Sequence, residues 1–166
     1  MFKEDNYENI YLRDKDVNKF RFLIYRIVWF ARENPAFVSK KFNMNQADAF
    51  NYWWMAYAFE AIADCIKRIA RFMKENRLST AEKEEFIRIL DIAESMFVNA
   101  MKAYHTKNAE IAHAILGERW EILNRCDEFY TKNKNVPFIG FLIYNTKYLI
   151  TMVSSTGRIP YQGLPG

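Results

Sequence analysis

The chain has 166 residues, 51% of them hydrophobic, with 24 Lys and Arg against 20 Asp and Glu for a formal net charge of +4. That length supports one domain with a real core and makes two unlikely on size alone. The mild, interspersed charge contains no Lys/Arg run of the kind that tracks phosphates, so nucleic acid is not an expected partner.

Compartment follows from the same inventory. Cys65 and Cys126 sit inside helical patterns and not in a spaced framework, which points away from a secreted disulfide scaffold. The N-terminal stretch MFKEDNYENIYLRDKD is charged where an export signal needs an apolar core. Arg26, Glu60 and Lys147 interrupt the longest apolar stretches. A cytoplasmic protein without membrane insertion is the expectation.

Residues 1–13 are polar and read as an irregular N-terminal extension. From Asp14 onward, Val17, Phe20, Ile24, Ile27, Val28 and Ala31 fall at helical steps, and Asn34-Pro35 is the expected stop, because a residue before proline avoids the α region. Residues 35–43 read as a connector. Asn45 is the expected N-cap of a second helix running to about Asn76, with Gln46 and Asp48 in its first turn. Ser79 followed by Glu82 is a capping-box pattern that starts a third helix, which continues through Phe86, Ile89, Ala93, Phe97 and Tyr104. The stretch HTKN, residues 105–108, makes a tight return into a fourth helix carrying Ile111, Ile115, Ile122 and Cys126. Residues 132–137 break it, and a fifth helix runs from about Phe138 to Ser154.

Helices of this length joined by short loops pack as antiparallel neighbours, so the expected fold is all-α, an antiparallel up-and-down bundle of about five helices. The expected division is an extension at 1–13, a bundle at 14–154 and a flexible tail at 155–166.

The second helix carries the chemistry-bearing residues. Phe50, Tyr52, Trp53, Trp54, Tyr57 and Phe59 point in nearly every direction, more than one bundle face can hide. That helix is therefore expected to be central, or to present Trp53, Trp54 and Tyr57 to a partner or second subunit. Further along it, Glu60 and Asp64 lie one turn apart on one face, where like charges repel unless something cationic lies between them. A divalent metal or iron would suit two carboxylates. Arg68, Lys67, Arg21 or Arg26 would equally neutralise them as an ion-pair network.

The other titratable candidates read as structural. His105 and His113 straddle a turn, Asp91 and Glu94 have the spacing of a solvated face, and Cys65 has the look of a small core residue. There is no glycine-rich phosphate cradle, nucleophile elbow or metalloprotease histidine pair, and a non-enzymatic protein is expected.

The segment FEAIADCIKRIA, residues 59–70, resembles the third-helix signature of PhoU-type phosphate-uptake regulators. DVNKFRFLIYRIV, residues 16–28, resembles the preceding family helix, and KNAEIAHAILGERWEILNRCDEFY, residues 107–130, resembles the equivalent helix of a second repeat. The resemblance implies two three-helix repeats in a PhoU-like bundle, a regulator acting by protein–protein interaction, and partners among the components of a phosphate transporter or its sensor. It also implies a metal role for Glu60 and Asp64, which match the family's carboxylate, three residues, then aspartate.

This chain departs from the family pattern in three places. The first helix of the first repeat has no counterpart, so the chain is expected either to be a fragment or to complete its bundle with another subunit, and this together with the aromatic surplus on the second helix predicts an association of at least two chains. LIYNTKYLITMV, residues 142–153, has no carboxylate pair for a second metal site. Nothing resembles the AbrB-like DNA-binding domain of archaeal relatives. Two alternatives stand beside this reading, a metal-binding carboxylate bundle with a redox or storage role, and a purely structural oligomerisation module.

Overall fold

Short polar motifs set most of the helix ends, and they do so through bonds made within a single turn. The computed structural model describes residues 4–159. Asn45 and Asp48 exchange side-chain and backbone hydrogen bonds of 2.9 Å each, closing a capping box at the start of α3 (Gln46–Glu75). Ser79 and Glu82 do the same at the start of α4 (Thr80–Thr106). The Asn108 side chain accepts from the Ile111 amide and opens α5 (Ala109–Lys132).

Two elements differ from the sequence-based expectation. The helix expected from Asp14 begins at Glu4, so α1 (Glu4–Glu33) includes most of the presumed extension. The presumed connector is itself a short helix, α2 (Pro35–Phe42), with proline at its first position and Asn43 in the left-handed conformation closing it at φ 49°. With α6 (Ile139–Thr156), the described residues hold six helices where five were expected. Residues 1–3 of the extension and 160–166 of the tail lie outside the described residues. The part of the tail that is described does not trail away, because Ile159 is fully buried.

The main core lies among α3, α4, α5 and α6, where Phe86 and Phe129 meet with ring centroids 5.6 Å apart. Lys132 also reaches Glu85, and these two pairs fix α4 antiparallel to α5. Pairing of Lys147 with Asp127, together with the approach of Gly157 to Ile115, does the same for α5 and α6. The tryptophan-rich α3 packs on both α1 and α6, and α6 in turn touches α3, α4 and α5, so the two helices are central in different ways. The reason is chemical. Within α6 only Lys147 is charged, whereas α3 carries Glu60, Asp64, Lys67 and Arg68 along one side.

That charged side of α3 faces α1, which lies outside the four-helix core and packs on α3 and, at its end, on α2. Ala31, Val38 and Ala49 form a small separate core where these three helices meet. None of the described helices is long and apolar enough to cross a membrane.

Candidate functional site: an ion-paired seam between the first and third helices

The inner edge of α1 follows a heptad spacing, with Asp14, Val17, Arg21, Ile24, Val28 and Ala31 falling at alternating steps of three and four. Two of those positions are charged, and each meets an opposite charge on α3. Lys67 Nζ donates to Asp14 Oδ2 at 2.7 Å, and Arg21 Nη1 stands 3.1 Å from Glu60 Oε1. Lys74 Nζ lies over the Tyr7 ring, 5.1 Å from its centroid. Each heptad forward along α1, from Tyr7 to Asp14 to Arg21, is thus matched by a heptad back along α3, from Lys74 to Lys67 to Glu60. The two helices form an antiparallel pair whose register is written in charges.

Glu60 and Asp64 are both in this seam, and both are already partnered. Asp64 accepts from Lys67 at 2.7 Å on one oxygen and from Arg68 at 2.9 Å on the other. Asp14, Glu60 and Asp64 balance Arg21, Lys67 and Arg68 charge for charge. A divalent ion would enter a network that is neutral without it and would have to displace Lys67 or Arg68 from the Asp64 oxygens. The residues present therefore do not fit a metal, and their arrangement is that of the ion-pair alternative. Among the described residues no group of three or more His, Cys, Asp or Glu is placed to hold an ion. Arg26, another candidate neutraliser, is exposed and outside the network.

Electrostatics agree with this geometry. Burial alone would lower the Lys67 pKa, but hydrogen bonds to Asp14 and Asp64 outweigh it and hold the ammonium above the ordinary lysine value. Burial pushes the neighbouring Cys65 thiol up to about 11, with Arg68 opposing and Asp64 and Glu60 adding. Cys126 is pushed up to about 12 by burial. Both cysteines are fully buried thiols, poor nucleophiles at neutral pH. His105, His113, Asp91 and Glu94 are all exposed.

The aromatic residues of α3 continue the seam toward α2. Trp53 stacks on Tyr57 at a centroid distance of 6.1 Å, Trp54 lies 5.7 Å from the same ring, and the Arg21 guanidinium sits 5.9 Å from it on the α1 side. On the α6 side, hydrogen bonding to Tyr57, then burial, pushes the Tyr148 hydroxyl up to about 12. Trp53, Trp54 and Tyr57 are thus half-buried and engaged with each other and with two neighbouring helices.

Exposed apolar side chains are most numerous on α1. Phe20 is 64% exposed and Phe22 65%, and Leu23, Ile27, Trp29 and Phe30 are each exposed by about half. Because the inner edge of α1 takes up only one stripe, Phe20, Phe22, Leu23 and Ile27 on its remaining faces are left largely uncovered within the described chain. Sequence reasoning also missed Asp14, which it used only to mark a helix start. The signal that could have found it was its place one heptad before Arg21 in an otherwise apolar stripe.

Comparison of the chain with protein-family models, with curated proteins and with solved structures gives no match.

Proposed function

We propose that this protein is a non-enzymatic helical adaptor or regulator that acts by protein–protein contact, with the outer face of α1 as the contact surface. The observation that carries this reading is the exposure of Phe20, Phe22, Leu23, Ile27 and Phe30 on a helix that Asp14 and Arg21 tie to α3. Contiguous apolar surface of this kind marks interaction sites in proteins that fold alone. Tying the inner charges to α3 holds α1 in place and leaves its apolar faces outward, an arrangement suited to presenting a contact helix. The PhoU-like form of the bundle and the partners, components of a phosphate transporter or its sensor, come from the sequence resemblance, and the cytoplasmic location comes from the cysteine placement and the charged N-terminal stretch. A second copy of the chain is the first partner to test.

Sedimentation equilibrium at micromolar concentration tests the contact, comparing wild type with the double variant Phe20→Glu/Ile27→Glu. Both positions face solvent, so the variant should fold with unchanged helicity while self-association, or binding to a purified phosphate-transporter ATPase component or its sensor, is lost. A wild type that remains monomeric and binds neither protein would overturn the proposal.

A further inference from the structure

Where α1, α2 and α3 meet, they border a half-open cavity of about 650 Å³, within the range of about 300–1,000 Å³ that small-molecule sites occupy. Its walls are largely apolar, built from Tyr25, Val28, Trp29, Val38, Ala49 and Trp53. One full charge lines it, the Arg32 guanidinium, which lies over the Trp29 ring at 4.4 Å. Among the described residues no carboxylate is within ion-pairing distance of Arg32.

Near the cavity, basic residues outnumber acidic ones. Arg26, Lys40 and Lys41 stand on the same two helices as the lining residues, and no ion pair links any of them to a carboxylate among the described residues. The nearby acids are Glu33 and Asp48, and Asp48 is occupied in capping α3. An apolar chamber with a planar, forked cation at its edge matches a ligand that has a hydrocarbon body and a single anionic head, because a guanidinium binds a carboxylate through two parallel hydrogen bonds. Stacking on Trp29 restricts the guanidinium before a ligand arrives, which reduces the ordering cost of binding.

We infer that this cavity is a binding site for a single-chain anionic amphiphile, a long-chain carboxylate whose tail lies among Val28, Val38, Ala49 and Trp53 and whose head pairs with Arg32. This site is independent of the contact face proposed above, which uses the opposite sides of α1. The ligand would join α1, α2 and α3 beside their small shared core, and so stiffen the end of the molecule where these three helices meet.

Titration with dodecanoate below its micellar concentration tests the inference, followed by tryptophan fluorescence, since Trp29 and Trp53 line the cavity, and by calorimetry for stoichiometry. Saturable binding of one dodecanoate per chain is expected, with dodecanol binding about tenfold or more weakly because it lacks the charge-assisted pair. Arg32→Gln should abolish that preference by weakening dodecanoate about tenfold while leaving dodecanol unchanged. Ala49→Leu should weaken both by filling the chamber, and if that variant fails to fold, the Arg32→Gln comparison decides alone. Four results would overturn the inference: no saturable response, equal affinity of wild type for acid and alcohol, a response to phosphatidylglycerol vesicles but not to free dodecanoate, or a dimer in which the second copy already fills the cavity.

Discussion

Lys67 and Asp14, 53 residues apart in sequence, are joined by a hydrogen bond of 2.7 Å that ties the first helix to the third. Asp14 is the more enclosed partner, with 6% of its side chain exposed against 24% for Lys67. Its other oxygen, Oδ1, is buried and has no partner among the described residues, so Asp14 depends on Lys67 for compensation.

Lys67→Met should accordingly destabilise the protein by about 3 kcal/mol, because it strands a buried carboxylate, whereas the double variant Asp14→Leu/Lys67→Met should lie close to wild type. Urea unfolding measures both. The Lys67 pKa is raised above 10.5 on folding, so the folded state binds the proton more tightly. That contribution is complete below the unfolded value and is lost as pH rises through the higher folded one. The difference between wild type and Lys67→Met should therefore be flat near neutrality and shrink only in strong alkali.

Glu60 and Asp64 allow the metal and ion-pair accounts to be separated directly. Chelator should leave the melting temperature of wild type unchanged, since Arg21, Lys67 and Arg68 supply the neutralising charge. Glu60→Gln/Asp64→Asn should lower stability by about 1–2 kcal/mol, a modest figure because Arg21 and Arg68 are each more than a third exposed and solvent screens them. A chelator-dependent fall in the wild-type melting temperature, absent in the double variant, would show that an ion bridges the pair.

Gly157 is constrained by packing and not by its backbone, whose φ of −65° any residue can adopt. A Cβ there would lie 3.1 Å from Ile115 Cδ1 and 3.3 Å from the Ala100 Cα, so the end of α6 sits closer to α4 and α5 than a side chain fits without its neighbours giving way by a few tenths of an ångström. Gly157→Ala should cost about 1–3 kcal/mol through overpacking. Adding Ile115→Val, which removes the nearer contact, should recover part of the loss in thermal unfolding and leave the part owed to the Ala100 backbone.

What the sequence determined by itself is what a single helical turn can encode. Asn45 with Asp48, Ser79 with Glu82, and Asn34 before Pro35 act between residues three apart or adjacent, so the ends they set formed where they were expected. The PAFVSKKF helix was missed because it is short and follows a proline that also ends the helix before it, so its start and its predecessor's stop fall together. Neither the start of α1 at Glu4 nor the role of Asp14 could be read locally, since Tyr7 and Asp14 gain their meaning only from Lys74 and Lys67 on another helix. Only the tertiary structure decided that Glu60 and Asp64 face three cations, that α6 joins α3, α4 and α5, and that Trp53, Trp54 and Tyr57 are half-buried while Phe20 and Phe22 of α1 stay exposed. Those outcomes depend on the relative register and rotation of separate helices, which are set by all the faces that must be buried together and not by the spacing within any one of them.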